Sequence, residues 1–341
     1  MLNKEQIKMW SENGYCITNY KNIEQLLEAR SFIYKNNLSI RSDFGSELEF
    51  PYKNLSLNKI TLNIEIIKTV KELLKTNEIL LTQSTAWIKT GPDGQLINSD
   101  KNKGSNDDQR MHMDFPNHNI LVPSSFDNPD VVSIIIYLDN DHDLDNQSIY
   151  GHTHIVPKTE QTLDLYQDYF TESSGLSNRP WINDKVEAER YFFKNDRPLF
   201  NLRKKLYTSE IAIPYKIGTV LFYRHDVWHR GSSLKINKTR ALLNLCFKKK
   251  NIFYIHSWNK GPARSMYDHS CVDVGSFEKL LVLLNEEQRA LIGFPDLNDK
   301  YWTIDNIIQV MARYNFDKKS TLYLDLQNLL NKKQQQILNK L

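Results

Sequence analysis

Cysteine is scarce in this sequence, with three residues in 341. Cys16, Cys246 and Cys271 are odd in number and widely spaced, so they make neither a disulfide framework nor a zinc motif. This use of cysteine predicts a reducing, cytoplasmic setting. The sequence also lacks any apolar run close to the roughly 18 residues that a membrane span needs. Residues 1–15 are polar and helical in pattern, which argues against a signal peptide.

An excess of charge of one sign is absent as well. The formal net charge of +3 is too small to predict a nucleic-acid partner. The hydrophobic fraction of 40% and the charged fraction of 25% are those of an ordinary globular protein. No internal repeat divides the chain, so we expect a single domain over residues 1–341. The sequence leaves the oligomeric state open.

Helical periodicity occupies both ends of the chain. Residues 4–12 end at Asn13-Gly14, where a glycine suits a helix C-cap. We expect an N-terminal helical flank over residues 1–76 and a C-terminal helical extension over residues 275–341. The apolar positions that share helical faces are Ile23, Leu26, Leu27 and Tyr34, then Leu62, Ile66, Val70, Leu73 and Leu74, and then Phe277, Leu280, Leu281 and Leu284.

The middle of the chain is typical of β-strands. Short segments rich in β-branched and aromatic residues are bounded by Gly, Pro, Asn or Asp. No helix of regular length separates them, which disfavours a parallel βαβ sheet. We predict an α+β protein with a mainly β core, a double-stranded β-helix (the jelly roll of cupin-like proteins), over about residues 79–258. The predicted strands are residues 79–89, 131–138, 152–156, 219–223 and 240–247.

Two segments interrupt this core. Residues 91–109 are almost entirely polar and predict an exposed loop directly before His112. Residues 158–215 form a long insertion with aromatic and basic residues, and such insertions often act as lids or substrate walls. The basic residues favour an anionic small-molecule substrate, although solvated surface charge is the simpler explanation for any one of them.

His112 and Asp114 are the first candidates for a chemical role. In a strand, side chains at i and i+2 point to the same face, so these two would project together while Met113 points away. Two imidazoles and one carboxylate on one face of a divalent metal suit non-haem Fe(II) that activates O2. A His-x-Asp triplet alone is usually coincidental, so the third ligand decides between a metal site and chance.

His229 is the preferred third ligand, and the metal triad is defined here as His112, Asp114 and His229. The segment GTVLFY before it predicts a turn that leads into a strand. His225 competes, because it shares a period-2 face with His229 and the two have the i,i+4 spacing of helical zinc sites. Those zinc sites need a glutamate that is absent here. The choice of His229 over His225 rests on an arginine further along the sequence.

That residue is Arg240, 11 positions after His229. A turn and a basic stretch lead into a strand that begins near Arg240, and antiparallel folding would bring the arginine beside the metal. A guanidinium holds a carboxylate through two parallel charge-assisted hydrogen bonds, as the distal carboxylate of 2-oxoglutarate requires. Taken alone, Arg240 would more often be a surface strand residue. Its spacing from the metal triad makes the co-substrate role the better interpretation.

Four segments carry a resemblance to a known family: DQRMHMD, GHTHIVPKTE, GTVLFYRHDVWHRGSSLKINKTR and LNEEQRALIGFPDLNDKYWT. In these segments the chain resembles the phytanoyl-CoA dioxygenase family of Fe(II)/2-oxoglutarate oxygenases. The resemblance is densest at residues 109–157 and 218–247 and implies the double-stranded β-helix fold. The family spans amino-acid, phosphonate, lipid and natural-product substrates, so the resemblance implies no particular substrate here.

The resemblance also implies roles for individual residues. The family's metal ligands fall on the metal triad, and its 2-oxoglutarate arginine falls on Arg240. A hydroxyl that assists the arginine would fall on Ser232 or Ser233. Where such proteins usually have Gly-Ser-His before a helix, this chain has Lys158-Thr159-Glu160. This departure does not touch the metal, but it weakens any substrate inference from close relatives.

One strand face offers further co-substrate contacts. Gln83, Thr85, Trp87 and Lys89 alternate along the first predicted strand and therefore share a face that could approach 2-oxoglutarate. Thr85 is the candidate chosen from this face. Packing in the barrel wall explains the same four residues at least as well, so the role of Thr85 depends on where the strand lies.

The expected activity is oxidation of a C–H bond of a small molecule, most directly hydroxylation, with release of succinate and CO2. Desaturation or oxidative cyclisation by the same site is an alternative. Halogenases of this kind have a small residue where this chain has Asp114, so the aspartate argues against halogenation but not against these two reactions. A non-catalytic, metal-binding cupin-like protein would keep the metal triad but would not need Arg240. A macromolecule hydroxylase would need a broad open mouth instead of a pocket built by an insertion.

Overall fold

The structure of the protein is a computed structural model. It describes residues 2–36, 48–92, 111–114, 129–142, 148–166, 182, 185–252, 280–292, 294–299, 302–304, 307–308, 310–311 and 316–339. The helices are α1 (Lys4–Asn13), α2 (Ile23–Asn36), α3 (Leu55–Thr61), α4 (Ile64–Leu74), α5 (Lys185–Asn195), α6 (Arg197–Ser209), α7 (Glu286–Leu291) and α8 (Thr321–Leu338). The strands are β1 (Tyr15–Asn19), β2 (Leu48–Glu49), β3 (Ile79–Thr90), β4 (Val131–Tyr137), β5 (Thr153–Ile155), β6 (Ile211–Ile213), β7 (Thr219–Arg224), β8 (His229–Gly231) and β9 (Thr239–Lys249).

These strands form two antiparallel sheets. The larger sheet has the order β1-β7-β4-β9-β3-β2, and the smaller has the order β6-β5-β8. In the larger sheet β9 pairs with β3 along nearly its whole length and with β4 on its other side. Most neighbours in the sheets are distant in sequence, as in a chain that crosses repeatedly between two layers. The architecture is therefore the predicted mixture of helices with a mainly β, jelly-roll core.

An apolar cluster fills the space between the two sheets. Tyr137, Leu221 and Leu242 enter it from the larger sheet, and Ile155 and Ile213 enter it from the smaller one. Each of these side chains is at most 1% exposed. Every residue of β4 and β7 is buried, because one face of these strands meets this cluster and the other meets the helices. Such strands read as continuous apolar runs, which is why their two faces cannot be distinguished by eye in the sequence.

The helices cover the outer face of the larger sheet. Ile134 and Phe247 point from that face into a second cluster, which includes Leu26 of α2 and Val70 of α4. The C-terminal helix α8 joins the same cluster through Leu322. Both helical flanks thus pack on one side of the larger sheet. The space between the sheets remains for the chemical site.

The predicted strands are confirmed, with small differences at their ends. The predicted C-cap of α1 is also confirmed, because Gly14 has a φ of 80° and its N–H donates to the carbonyl of Trp10. The shared helical face that included Leu62 was wrong. Leu62 lies between α3 and α4, where Asn63 caps α4 through its side chain. The short strands β1, β2 and β6 were not predicted, and β8 was expected only as part of a longer strand through His225.

Several predictions fall on residues outside the described ranges. They concern most of the 91–109 loop, Cys271, Phe277 and the middle of the 158–215 insertion. The described part of that insertion contains α5, α6 and β6. The expectation that no helix of regular length separates the strands was therefore wrong, because α5 and α6 lie between β5 and β6. Among all described residues, no helix has the length and apolar character that crossing a membrane requires.

Candidate active site

A main-chain bridge brings the two predicted histidine ligands together. The N–H of His112 donates to the carbonyl of His229 at 3.0 Å, and the N–H of His229 donates to the carbonyl of His112 at 2.8 Å. Residues opposed in this way have their Cβ atoms about 5 Å apart on the same side of the backbone. The imidazole centroids are 4.4 Å apart, and the two residues are 1% and 5% exposed. The pair is therefore both adjacent and buried.

Asp114 completes a compact group of potential ligand atoms. Its Oδ1 lies 3.7 Å from Nε2 of His112 and 3.5 Å from Nε2 of His229. One ligand atom from each of the three residues lies within 4.8 Å of the others. Across the part of the chain that the structure describes, this is the one group of His, Cys, Asp or Glu side chains with that property. The donor set is the one that suits a non-haem divalent iron.

The prediction that residues 112–114 form a strand was wrong. His112 is an isolated bridge residue, and Asp114 lies in a bend. The ladder is short because β8, which offers the partner backbone, is only three residues long. Met113 is fully buried in a cluster that includes Trp228, and this packing anchors the bend. Chain bending, instead of strand alternation, brings Asp114 to the histidines.

The ring of His229 is oriented by a main-chain carbonyl. Its Nδ1 lies 3.0 Å from the carbonyl oxygen of Val227. A carbonyl oxygen can only accept a hydrogen bond, so Nδ1 carries the proton and donates. In the neutral ring this leaves the lone pair on Nε2, the atom that faces Asp114. The tautomer is thus the one that a metal ligand needs.

A buried ion triad stabilises the turn before β8. The carboxylate of Asp226 accepts hydrogen bonds from Nε and Nη2 of Arg224, both at 2.8 Å, and from Nζ of Lys158 at 2.7 Å. Burial by itself would raise the pKa of Asp226, but the two cations outweigh burial and lower it. The turn joins β7 of the larger sheet to β8 of the smaller sheet. The ion triad therefore stabilises the turn between the two sheets that places His229 at the site.

Two hydroxyl groups of the larger sheet contact the second oxygen of Asp114. Tyr223 donates to Oδ2 at 3.0 Å, and Ser133 donates to it at 3.3 Å. Burial, and then the Asp114 carboxylate, raises the pKa of Tyr223 well above its ordinary value, so the phenol stays protonated. Sequence reasoning missed both residues. They lie in strands that are buried at every position, where no alternation marks the face that meets the site.

His225, the competing histidine, lies outside this group. It is 6% exposed, and its Nε2 lies 3.2 Å from Sγ of Cys246 on β9. The expected period-2 face shared with His229 was wrong, because a turn separates β7 from β8 and these strands belong to different sheets. Burial raises the pKa of Cys246 to about 12, so the thiol beside His225 is protonated at neutral pH.

Arg240 lies at the start of β9 and is buried in the space between the sheets. It is 2% exposed and directly opposite Lys89 of β3, which is equally buried. The guanidinium carbon is 5.6 Å from the ring centroid of Tyr137 and 5.7 Å from that of Tyr215. Nε and Nη1 of Arg240 are buried with no hydrogen-bond acceptor among the described residues. Buried charged donors of this kind are costly unless an anion meets them.

The smaller sheet relates Arg240 to the metal triad. The Tyr137 hydroxyl, beside the guanidinium, donates to Oγ1 of Thr153 at 2.7 Å. Thr153 pairs with Gly231, which is two residues along β8 from His229. Two residues of a strand span about 6–7 Å. The arginine and His229 are therefore connected through Tyr137, Thr153 and two residues of β8.

The other two predicted co-substrate contacts have different surroundings. The hydroxyl of Ser232 donates to the carbonyl of His152 at 3.1 Å, and the Ser232 carbonyl accepts a hydrogen bond from Nζ of Lys89 at 2.8 Å. Thr85 lies on β3, where its Oγ1 accepts a hydrogen bond from Gln83 at 3.4 Å. Both hydroxyl groups thus contact groups other than the guanidinium. Lys89 was placed on the correct strand face but was not chosen as a site residue.

Comparison with solved structures supports the fold. SnoN, described as an epimerase in complex with Fe3+, alpha ketoglutarate and nogalamycin RO, matches 75% of this chain and 86% of its own, with a TM-score of 0.50 and 10% identity. SnoK, described as a non-heme alpha ketoglutarate dependent carbocyclase from nogalamycin biosynthesis, matches 77% and 90%, with a TM-score of 0.50 and 12% identity. No family model matches the chain, and no curated protein matches it. These likenesses show the fold and do not confirm the phytanoyl-CoA dioxygenase family.

Proposed function

We propose that this protein is a non-haem Fe(II) oxygenase that uses 2-oxoglutarate and O2 to oxidise a C–H bond of a small molecule. One observation carries the proposal. A group of two imidazoles and a carboxylate has its ligand atoms within 4.8 Å of one another, and it is connected through Thr153 and Tyr137 to Arg240, whose buried Nε and Nη1 meet no described acceptor. SnoN was solved with alpha ketoglutarate, which is 2-oxoglutarate, and SnoK is dependent on it, which adds support.

The metal triad would hold iron through the three atoms that face one another, Nε2 of His112, Oδ1 of Asp114 and Nε2 of His229. When bound, iron and 2-oxoglutarate supply the oxidation: 2-oxoglutarate, O2 and substrate become succinate, CO2 and hydroxylated substrate. Three protein ligands on one face leave the other coordination positions for the co-substrate and O2. Burial of the triad excludes bulk water from the reacting atoms.

Arg240 would bind the distal carboxylate of 2-oxoglutarate through paired charge-assisted hydrogen bonds. Lys89, its directly paired neighbour in the sheet, adds a second positive charge. Burial raises the pKa values of Tyr137 and Tyr215, so both phenols stay neutral and place no competing negative charge beside the guanidinium. Thr85, together with Ser232 or Ser233, would supply the remaining polar contacts to the co-substrate.

Hydroxylation is the proposed outcome, with desaturation or oxidative cyclisation as the alternative by the same site. Retention of Asp114 supports all three over halogenation. The product's mass separates them, since hydroxylation adds one oxygen, whereas desaturation and ring closure remove two hydrogens. Membership in the phytanoyl-CoA dioxygenase family, a cytoplasmic location and a single domain over residues 1–341 belong to the same proposal. The sequence patterns described above support them.

An anionic small molecule is the proposed substrate class. The insertion contributes helix α6, in which Arg203 is 2% exposed and lies over the rings of Phe192 and Tyr207. Desolvation by burial lowers the pKa of Arg203, whereas the neighbouring Tyr207 and Glu189 act in the opposite direction. The Arg203 guanidinium is thus a buried positive charge close to the apolar cluster that contains Met111 and Met113. This charge supports an anionic substrate.

Anaerobic titration of the protein with Fe(II) and 2-oxoglutarate tests the proposal. A weak visible charge-transfer band should appear when the keto acid chelates iron, and it should require both components. His229→Ala should abolish the band, and His225→Ala should retain it, because His225 lies outside the ligand group. No band with the wild-type protein, or an undiminished band in His229→Ala, would contradict the assignment.

The same titration separates the oxygenase from a non-catalytic cupin-like metal protein. Such a protein would bind metal through the triad without any use for Arg240. Arg240→Ala should therefore leave metal binding intact but remove the band at moderate 2-oxoglutarate concentrations. Metal binding by the wild type without any band would favour the non-catalytic alternative, and an identical band in Arg240→Ala would contradict the role of Arg240. If the protein is an oxygenase, a screen of small anions for succinate release would identify its substrate.

A further inference from the structure

The two oxygens of Asp114 have different partners. Oδ1 faces the two imidazoles, at 3.7 Å from His112 and 3.5 Å from His229. Oδ2 points the other way and accepts hydrogen bonds from Tyr223 at 3.0 Å and from Ser133 at 3.3 Å. Both hydroxyl groups contact the same oxygen. Rotation of the carboxylate would therefore break two hydrogen bonds at once.

The two donors are fixed by the larger sheet. Tyr223 of β7 and Ser133 of β4 are directly paired residues, so their separation is set by the strand ladder. They are 6% and 5% exposed. The ring of Tyr223 also lies against the ring of His229, with centroids 4.7 Å apart. Ser133 and Tyr223 thus form a rigid pair behind the site, on a strand pair instead of a loop.

We propose that Tyr223 and Ser133 are positioning residues that hold Asp114 so that it presents only Oδ1 to the metal. The inference rests on the proposed function, because it assigns residues that act on its metal ligand. Removing a group that hydrogen-bonds to a metal ligand without contacting the metal typically lowers metal affinity by about 10–100-fold. Since the two hydroxyls contact one oxygen, loss of either leaves the other in place. The double variant should lose more than either single variant.

Binding of Co(II) alone to the purified protein tests this without any turnover. Calorimetry measures the dissociation constant, and the visible spectrum of Co(II) reports its coordination. Tyr223→Phe should weaken binding by about 10-fold, and the double variant Tyr223→Phe/Ser133→Ala by up to about 100-fold. A released carboxylate can bind through both oxygens, so the Co(II) spectrum should change as well. Loss of packing alone would not change the spectrum.

Tyr52→Phe is the matched control. Tyr52 is 2% exposed, and its hydroxyl hydrogen-bonds to Ser84 at 2.8 Å in the core beneath the helices. This variant should keep the wild-type dissociation constant and spectrum. The inference is overturned if the double variant also keeps both. If the wild type shows no Co(II) binding that His229→Ala abolishes, the proposed function fails, and the inference fails with it.

Discussion

Replacing Asp226 tests most directly whether the buried ion triad stabilises the turn between β7 and β8, which precedes His229. The substitution Asp226→Asn keeps the size of the side chain and removes its charge. It leaves Arg224 and Lys158 facing each other across a site where the carboxylate is only 10% exposed. The three hydrogen bonds of 2.7–2.8 Å that Asp226 accepts all come from these two cations. The variant therefore has two nearly buried positive charges without a counter-charge.

Removing one partner of a buried ion pair typically costs about 3–5 kcal/mol. We expect a loss of this size in the free energy of unfolding at pH 7. The pKa of Asp226 is lowered in the folded state, so its stabilisation is fully present above the unfolded value of about 3.9. The stabilisation is lost as the pH falls through the lower, folded value. The difference between wild type and variant should thus be constant at neutral pH and shrink below about pH 4.

Urea denaturation followed by tryptophan fluorescence measures the difference across pH. Asp164→Asn is the matched control, because Asp164 forms a 3.1 Å ion pair with Lys205 in which the side chains are 55% and 63% exposed. Exposed pairs contribute about 0–1 kcal/mol. If Asp226→Asn costs no more than Asp164→Asn, or if its cost does not shrink in acid, the buried ion triad does not stabilise the turn as argued.

Three further predictions concern Arg240 and its surroundings. Arg240→Ala should weaken 2-oxoglutarate binding at least about 10-fold, because each hydrogen bond to a charged group contributes about 1.5–3 kcal/mol. Calorimetry on the Mn(II)-loaded protein measures the affinity, and an unchanged affinity would contradict this prediction. Asp139→Ala should cost about 1–3 kcal/mol in urea denaturation, because the Asp139 carboxylate accepts the buried N–H of Ala241 at 2.6 Å. Gly91→Ala should also destabilise the protein, by about 1–3 kcal/mol, because a Cβ there would lie 1.9 Å from the carbonyl oxygen of Lys235 and must displace backbone. Wild-type stability in either variant would refute the corresponding contact.

The long strands and the main helices could be predicted from the sequence because each has a strong local pattern. β3 alternates between a helix-facing side with Ala86 and an inner side with Trp87, and in β9 an apolar run follows Arg240 directly. The short strands could not be predicted in this way. β8 has only three residues, His229–Gly231, and exists because the backbones of β5 and residue 112 supply its partners. Tertiary pairing, not local propensity, forms it.

The candidate site shows the same division. Residue type and spacing indicated His112, Asp114, His229 and Arg240, because few combinations of side chains suit one metal and one dicarboxylate. The supporting contacts required the fold. Tyr223 lies in a strand that is buried at every position, so nothing in the sequence shows that its hydroxyl meets Asp114.

Sequence reasoning about the competing histidine failed for a related reason. His225 and His229 were treated as neighbours on one continuous strand, whereas the chain turns between them and changes sheet. A turn of this kind depends on the ion triad of Arg224, Asp226 and Lys158, and Lys158 comes from a distant part of the sequence. A long-range contact of this kind leaves no local pattern to read.

A crystal structure obtained without oxygen, after soaking with Fe(II) and 2-oxoglutarate, tests the central claim most directly. We expect one metal ion coordinated by Nε2 of His112, Oδ1 of Asp114 and Nε2 of His229. We also expect 2-oxoglutarate to chelate that ion, with its distal carboxylate on the guanidinium of Arg240. A metal bound elsewhere, coordination by His225, or a co-substrate whose distal carboxylate lies away from Arg240 would contradict the account.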